Sequence, residues 1–264
     1  MENSFHGRTI TTVKATGQSS FHQSKFAPYP DGFSFNAIDD VYNAIDDETV
    51  AVMIELVQGE GGVFPFDKEK IKELAKFLKE NDILLIIDEV QTGVFRTGEF
   101  LASNLYDIEP DIITLAKGIG GGVPMGAVMT KHKDIWTAGD HGSTFGGNYL
   151  VTAAALEVLD ILENLKDSGT LDETIIYFTK KLNDIFEANR DIFITHVGLG
   201  LMRGLRVKDA DTLASLIKTA FEFGVMVLKS GNNTLRFLPA LTISKSEIDE
   251  GFIRLQKAIT KIKS

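Results

Sequence analysis

Short apolar runs alternate with amphipathic segments over much of the chain. Val50 to Ile54 is predicted to be a strand, and Asp67 can cap a helix whose apolar residues recur at helical spacing. The next apolar run, Ile83 to Ile87, predicts a second, buried strand. This order of strand, helix and strand predicts a βαβ unit, and therefore an α/β fold with a mainly parallel sheet.

The pattern changes after about residue 165. Before it we expect short strands at Ile112 to Leu115 and Ala127 to Thr130, and a long helix from about Asn148. After it we expect a smaller α+β domain with a helix over about 171–189, a last helix that starts at the capping box of Ser244 and Glu247, and strands near 192–196, 201–207, 225–228 and 235–238. The sequence thus predicts a large domain over residues 1–165 and a C-terminal domain over residues 166–264.

Composition narrows the classes of function. The 264 residues are 44% apolar, enough for a sizeable core, and the net charge of −10 argues against nucleic acid as a partner. The longest aliphatic run, Ile83 to Ile87, falls far short of the roughly 20 residues that span a bilayer. The absence of cysteine excludes disulfides and thiolate metal sites, and no metal is expected. We expect the partners of this chain to be small molecules or further copies of itself. Because no signal sequence is visible, we expect a cytoplasmic location.

Polar residues follow three of the predicted strands directly. Asp88 to Gly93 follow one strand, Ala116 to Gly118 follow the next, and Glu55, with Gln58 to Gly62 beyond it, follows the first. Ligands of an open parallel sheet lie beyond the carboxyl ends of its strands, so these residues are the first candidates for a site.

An apolar run that ends in Asp88 and Glu89 is also typical of the magnesium-binding strand of P-loop ATPases. That interpretation requires a phosphate loop that contains a Gly-Lys dipeptide, and this sequence has none. It would need a loop located upstream of the chain.

Lys117 and Asp88 together suggest a different chemistry. Lys117 follows a predicted buried strand and precedes several glycines, so we expect its ammonium to lie against close-packed backbone, where burial lowers a lysine pKa and makes the amine nucleophilic. Pyridoxal phosphate needs an amine that bonds to its aldehyde and a carboxylate that keeps its pyridine nitrogen protonated. The pair meets both needs.

Six segments of the chain sharpen this hypothesis: Phe5 to Thr9, Glu55 with Gln58 to Gly62, Asp88 to Gly93, Arg96 to Gly98, Lys117 with Gly118, and Thr144 to Asn148. In this order they resemble the motifs of class III aminotransferases, of the ornithine and acetylornithine type, and the resemblance covers residues 1–264. It implies a fold-type I α/β structure that has a mainly parallel sheet in a large, pyridoxal-phosphate-binding domain and a smaller α+β domain at the C-terminus.

The resemblance implies roles for the matching residues around the cofactor. Phe5 would stack on one face of the cofactor ring, Val90 would press on the other, and Gln91 would contact the ring hydroxyl. Asp88 would pair with the pyridinium nitrogen. Lys117 would hold the cofactor covalently and then act as the general base at the substrate carbon.

The same resemblance implies a homodimer with shared active sites, in which Thr144 of the other subunit binds the cofactor phosphate. Arg8 would read the distal carboxylate of the substrate and Arg236 the near one, with Glu60 occupying Arg236 when no near carboxylate is present. The implied reaction moves an amino group from N-acetylornithine, or a related ω-amino acid, to 2-oxoglutarate, giving glutamate for arginine biosynthesis. Succinylornithine, succinyldiaminopimelate, ornithine or 4-aminobutyrate as donor, and a truncated non-catalytic remnant, are the alternatives.

The chain departs from the family pattern in three respects. Phe95 stands where the family usually has glycine, Leu56 stands where it usually has proline, and the chain opens almost directly at the Phe5 motif. We therefore expect that an N-terminal segment with a glycine-rich phosphate turn is missing, and that residues 1–264 alone bind the cofactor weakly and show little activity.

Overall fold

A computed structural model describes residues 1–23 and 31–263. The helices of this part of the chain have the following bounds: α1 Ile10–Ala15, α2 Lys68–Glu80, α3 Ala102–Tyr106, α4 Tyr149–Asp167, α5 Thr170–Ala188, α6 Ala210–Glu222 and α7 Lys245–Lys263. Three short 3₁₀ helices accompany them: Ser19–Gln23, Val41–Ala44 and Lys117–Gly120. Among the described residues, none of the helices is long and apolar enough to cross a membrane.

The strands are short. Their bounds are β1 Ala51–Ile54, β2 Val57–Gln58, β3 Phe64–Pro65, β4 Leu84–Asp88, β5 Ile112–Leu115, β6 Ala127–Thr130, β7 Phe193–Leu199, β8 Met202–Val207, β9 Leu228–Ser230 and β10 Thr234–Phe237.

The chain folds into two compact units that interleave along the sequence. Within the described residues, the first unit takes Met1–Gln58, Phe66–Val94 and Leu101–Asp160, and the second takes Gly59–Pro65, Phe95–Phe100 and the chain from Ile161 onward. Two short segments of the N-terminal half therefore belong to the second unit. The division into a domain over residues 1–165 and a domain over residues 166–264 remains a prediction.

The first unit is built on a four-stranded sheet in the order β1-β4-β5-β6. β1 and β4 run parallel, as do β4 and β5, whereas β6 is antiparallel to β5. Asp67 caps α2 by accepting a hydrogen bond from the Lys70 amide, and α2 buries Ile71, Leu74 and Leu78. The predicted βαβ unit is confirmed, and so is the mainly parallel sheet.

The second unit contains an antiparallel sheet in the order β7-β8-β10-β9 and the helices α5, α6 and α7. The helices bury one apolar face each, through residues such as Leu182 of α5, Leu216 of α6 and Leu255 of α7. The predicted capping box is present, because the Ser244 amide donates to Glu247 Oε2 at 2.8 Å and the Glu247 amide donates to Ser244 Oγ at 3.2 Å.

The strand predicted over 225–228 is wrong by several residues, since β9 begins only at Leu228. The reason is α6, a helix that was not predicted. Its end is closed by a hydrogen bond from the Val225 amide to the carbonyl of Ala220, so residue 225 still belongs to the helix terminus. The signal for α6 was present, because Asp209 caps it and accepts from the Thr212 amide.

Candidate active site

Asp88 ends β4 and is 5% exposed. It lies opposite Thr114 in the parallel pair of β4 and β5. Its Oδ1 accepts hydrogen bonds from the Val90 amide at 3.0 Å and from Thr114 Oγ1 at 3.1 Å. The register of two buried strands thus places and orients this carboxylate.

His6 is a second partner of Asp88, and sequence reasoning missed it. Its imidazole is 1% exposed, and its Nδ1 lies 2.8 Å from Asp88 Oδ2. The residue lies in the Phe5 to Thr9 motif, so its position could have drawn attention to it, but no local pattern indicates that it reaches a strand end 82 residues away in the sequence.

The hydrogen bonds of Asp88 leave capacity for one more donor. A carboxylate offers about four acceptor sites, two on each oxygen. Two donors bind Oδ1 and one lies at Oδ2, and among the described residues no lysine or arginine nitrogen lies within 4.0 Å of Asp88. A buried carboxylate without a lysine or arginine partner suits a protonated ring nitrogen, so this site fits the predicted pyridinium partner.

Lys117 follows β5 and begins the 3₁₀ turn Lys117–Gly120. Because β4 and β5 are adjacent and parallel, Lys117 and Asp88 follow the same edge of one sheet, as expected. The expectation that the ammonium is covered by backbone is wrong for this chain, because Lys117 is exposed. The neighbouring glycines have no side chains to cover it, and Gly118, Gly121 and Gly122 are exposed as well.

The turn after β4 is fixed by Glu89. This residue is 1% exposed, and its carboxylate accepts hydrogen bonds from Thr92 Oγ1 and, at 2.8 Å, from the Ser103 amide at the start of α3. Burial raises the pKa of Glu89, and these hydrogen bonds offset only part of the rise. Val90 and Gln91, both half-buried, are carried by this turn.

Val94 connects the turn after β4 with the turn after β5. Val94 is buried, and its side chain packs beside Gly118. Its backbone has φ 53°, a left-handed conformation that is unusual for a β-branched residue. Lys117 is also left-handed, at φ 50°. Such backbone conformations concentrate at functional sites.

Phe95, where the family usually has glycine, adopts φ 63°. This left-handed conformation accounts for a glycine preference at the position. The phenylalanine ring is nonetheless buried in the second unit, with its centroid 5.8 Å from that of Phe100.

Phe5 and Arg8 lie together in the first unit. The Phe5 amide donates to Glu55 Oε1 at 2.8 Å, and the Phe5 ring lies 5.0 Å from that of Phe21. The exposed Arg8 guanidinium lies 5.0 Å from the Phe21 ring centroid and 6.0 Å from that of Phe5. Among the described residues no carboxylate is within 4.0 Å of Arg8, which leaves its charge available for an acidic ligand.

Arg236 and Glu60 form an ion pair within the second unit. Arg236 Nη1 donates to Glu60 Oε1 at 2.7 Å and to the carbonyl of Gly59 at 3.0 Å. The arginine side chain is 8% exposed and the glutamate side chain 34% exposed. The glutamate can therefore turn toward water at lower cost than the arginine, as a displaceable partner requires.

None of the contacts among the described residues joins Thr144 to another predicted site residue. It is exposed, like all residues from 141 to 150, and it makes no hydrogen bond with any described residue. Phe145, Tyr149 and Leu150 in the same stretch are 80%, 95% and 74% exposed. Large apolar side chains exposed to this degree are typical of a surface that another chain covers.

The structure therefore divides the predicted residues into three groups. Asp88, Val90, Gln91 and Lys117 follow adjacent strands of one sheet, with Phe5 and Arg8 in the same unit; Glu60 and Arg236 are paired in the other unit; and Thr144 stands apart.

Comparison with known proteins extends these observations. A family model described as aminotransferase class-III matches residues 1–259. An acetylornithine aminotransferase of Wolinella succinogenes is 55% identical over 99% of this chain and 67% of its own length. A succinylornithine transaminase of Salmonella enteritidis is 42% identical over 100% of this chain and 66% of its own length.

A crystal structure of the ornithine aminotransferase from Toxoplasma gondii superimposes with a TM-score of 0.90 at 28% identity. The match covers 99% of this chain and 64% of that protein. The chain thus spans about two thirds of the length of the relatives it matches.

Proposed function

Because the chain belongs to the class III aminotransferase family, we propose that it moves an amino group from N-acetylornithine to 2-oxoglutarate with pyridoxal phosphate as cofactor. The family predicted from the six motifs is confirmed, and so is the fold-type I α/β fold. Members of this family are pyridoxal-phosphate-dependent enzymes that act on an amino donor and a keto acid. The observation that supports the proposal most is the placement of Asp88 and Lys117 at the carboxyl ends of adjacent parallel strands.

Asp88 holds the ring nitrogen of the cofactor. Its remaining acceptor site lies on a carboxylate that His6, Val90 and Thr114 already orient, so little side-chain freedom is lost on binding. When bound, pyridoxal phosphate supplies an electron sink for charge that develops at the substrate carbon. Asp88 keeps that sink effective by stabilising the protonated nitrogen.

Lys117 serves as the attachment point and as the base. Its amine would hold the cofactor at its aldehyde group, and the same amine would move a proton at the substrate carbon. Phe5 and Val90 would hold the two faces of the cofactor ring, and Gln91 would contact the ring hydroxyl. The hydrogen bonds of Glu89 support the turn that carries Val90 and Gln91.

Arg8, Arg236 and Glu60 select the substrate. The ω-amino donor has its carboxylate far from the reacting amine, whereas glutamate has one carboxylate near it and one far. Arg8 binds the far carboxylate of both donors. Arg236 binds the near carboxylate of glutamate, and Glu60 occupies Arg236 when the ω-amino donor is bound. The structure has the same pairing, with Arg236 Nη1 2.7 Å from Glu60 Oε1.

Succinylornithine is the second candidate donor, because a relative of that name is 42% identical over the whole chain. The two donors share the reacting amine and the carboxylate and differ in the acyl group. Comparing them in one assay decides between the two.

We also propose a homodimer with shared active sites. The exposed apolar residues Phe145, Tyr149 and Leu150 follow Thr144 closely in the sequence. A second copy of the chain that covers this surface would remove the residues from water and bring Thr144 to the cofactor phosphate of its partner.

Absorbance spectroscopy of the two half-reactions tests the proposed function. The chain, extended by the part of its relatives' length that it does not span and then loaded with pyridoxal phosphate, is mixed with N-acetylornithine, with succinylornithine, or with glutamate. Spectral conversion by glutamate and by N-acetylornithine, with the succinyl donor slower, is the expected result. Conversion by glutamate and not by either acylated donor would exclude the proposed substrate class.

A further inference from the structure

The segment that carries Glu60 is held through its main chain by the turn between β9 and β10, here called the 230–233 turn. Three consecutive carbonyl groups accept its hydrogen bonds: Gly59 from Ser230 Oγ at 2.7 Å, Glu60 from the Gly231 amide at 2.9 Å, and Gly61 from Asn232 Nδ2 at 2.8 Å. The Glu60 carboxylate takes no part in these bonds, so the backbone is fixed while the side chain keeps its freedom.

The two backbones approach each other too closely for larger residues. A Cβ atom on Gly231 would lie 2.8 Å from the carbonyl oxygen of Glu60, and one on Gly62, which has φ 115°, would lie 2.9 Å from the carbonyl oxygen of Gly231. Only glycine allows this approach. The contact is therefore a built feature of the second unit, which contains all of these residues.

The same hydrogen bonds support Arg236. The carbonyl of Gly59 accepts from the Ser230 hydroxyl and also from Arg236 Nη1 at 3.0 Å. Ser230 is 3% exposed, so its hydrogen bond is shielded from water. Arg236 keeps its hydrogen bond to the Gly59 carbonyl when Glu60 turns away, and the Ser230 hydroxyl fixes the position of that carbonyl.

We propose that Ser230 and Asn232 are positioning residues that set the preference between the two amino donors. They do so by holding the Glu60 segment at the distance where its carboxylate reaches Arg236. This inference rests on the proposed function and adds two residues that the predicted substrate contacts do not include.

Asn232 and Asn233 offer a matched pair of variants. Both are left-handed at φ 51°, a conformation that glycine adopts without strain, but only the Asn232 side chain bonds to the Glu60 segment among the described residues. Asn232→Gly should raise kcat/KM for glutamate relative to N-acetylornithine by about two- to fivefold, mostly through KM, as expected for the loss of one hydrogen bond. Asn233→Gly should leave that ratio unchanged.

Ser230→Ala should shift the ratio in the same direction, and Ser230→Thr, which keeps the hydroxyl, should restore it. In a Glu60→Ala background, Asn232→Gly should cause no further shift, because the residue whose position it controls is gone. Hydrogen exchange of the peptide that contains residues 59–65 gives a readout independent of catalysis, and should be faster in Asn232→Gly than in Asn233→Gly.

Equal ratios in the two glycine variants, or an undiminished effect of Asn232→Gly without Glu60, would overturn the inference while leaving the proposed function intact. If the extended wild-type protein, which carries the part of its relatives' length that this chain does not span, converts neither donor, the proposed function fails instead. The exchange rates then decide the positioning role alone: a difference between the two variants supports it, and no difference overturns it.

Discussion

The carboxylate of Asp88 and the guanidinium of Arg236 are both buried charges, yet their surroundings differ in kind. Asp88 is bound by the Val90 amide, Thr114 and His6, and no lysine or arginine among the described residues lies within 4.0 Å of it. Arg236 is bound by the carbonyl of Gly59 and by the charged, one-third exposed side chain of Glu60.

The difference corresponds to two tasks. A group that serves every turnover in the same way is best held by several partners that do not compete with its ligand. A group that must accept one substrate and ignore another needs a partner that can be displaced. The Asp88 site is accordingly built on strand register, and the Arg236 site on an ion pair that can open.

The largest effect is expected at Lys117, which completes the Asp88 site. Lys117→Ala should lower the rate of both half-reactions by about 10²–10⁴-fold, the range that general acid–base catalysis contributes. Lys131→Ala is the control, since Lys131 pairs with Asp111 at 2.8 Å elsewhere in the first unit. Borohydride reduction followed by peptide mapping should place the cofactor on Lys117. A label on another lysine, with Lys117 unmodified, would refute the assignment.

Asp88→Asn should have the next largest effect. It keeps the shape but removes the charge that stabilises a protonated ring nitrogen, so both half-reactions should slow by about 10- to 100-fold, from the roughly 1.5–3 kcal/mol of a charge-assisted hydrogen bond. Asp111→Asn is a matched control, because Asp111 also accepts a backbone hydrogen bond, from the Leu85 amide at 2.8 Å. Equal losses of rate in the two variants would indicate a structural role for Asp88.

Glu60→Ala should change the donor preference rather than the overall rate. Freeing Arg236 strengthens the site for the near carboxylate, so glutamate should gain on N-acetylornithine by about three- to tenfold, since a partly exposed ion pair contributes on the order of 1 kcal/mol. The ratio of kcat/KM for the two donors measures this. If both donors change by one factor, Glu60 does not act as the displaceable partner.

The smallest effect concerns the pH dependence of stability at Glu89, which supports the fixed site. Burial raises the pKa of Glu89 above its ordinary value of 4.5, so the folded state favours the protonated carboxyl, and stability is lost as pH rises through the raised pKa. Above about pH 4.5, Glu89→Gln should therefore gain in Tm relative to the wild type as pH increases. The exposed Glu222→Gln should show a flat difference, and a flat difference for Glu89→Gln as well would contradict the expectation.

Local patterns were sufficient for most of the elements. The cap at Asp67, the capping box at Ser244 and the apolar runs of β4 and β5 each depend on neighbours within a few residues, and the structure has all of them. The α6 helix was missed although its cap was visible, and the strand near 225 was misplaced because of it.

Sequence alone also determined the family, because six motifs in the family's order seldom arise by chance. It also placed Asp88 and Lys117 at the ends of neighbouring strands. Only the tertiary structure decided that His6 reaches Asp88, that Lys117 is exposed in this chain, and that the 230–233 turn binds the segment around Glu60. These contacts join residues 82 and 171 positions apart. A hydrogen bond forms only when two particular atoms lie about 3 Å apart, with a tolerance of a few tenths of an ångström. A sequence encodes such a distance only through the packing of everything that lies between the two atoms.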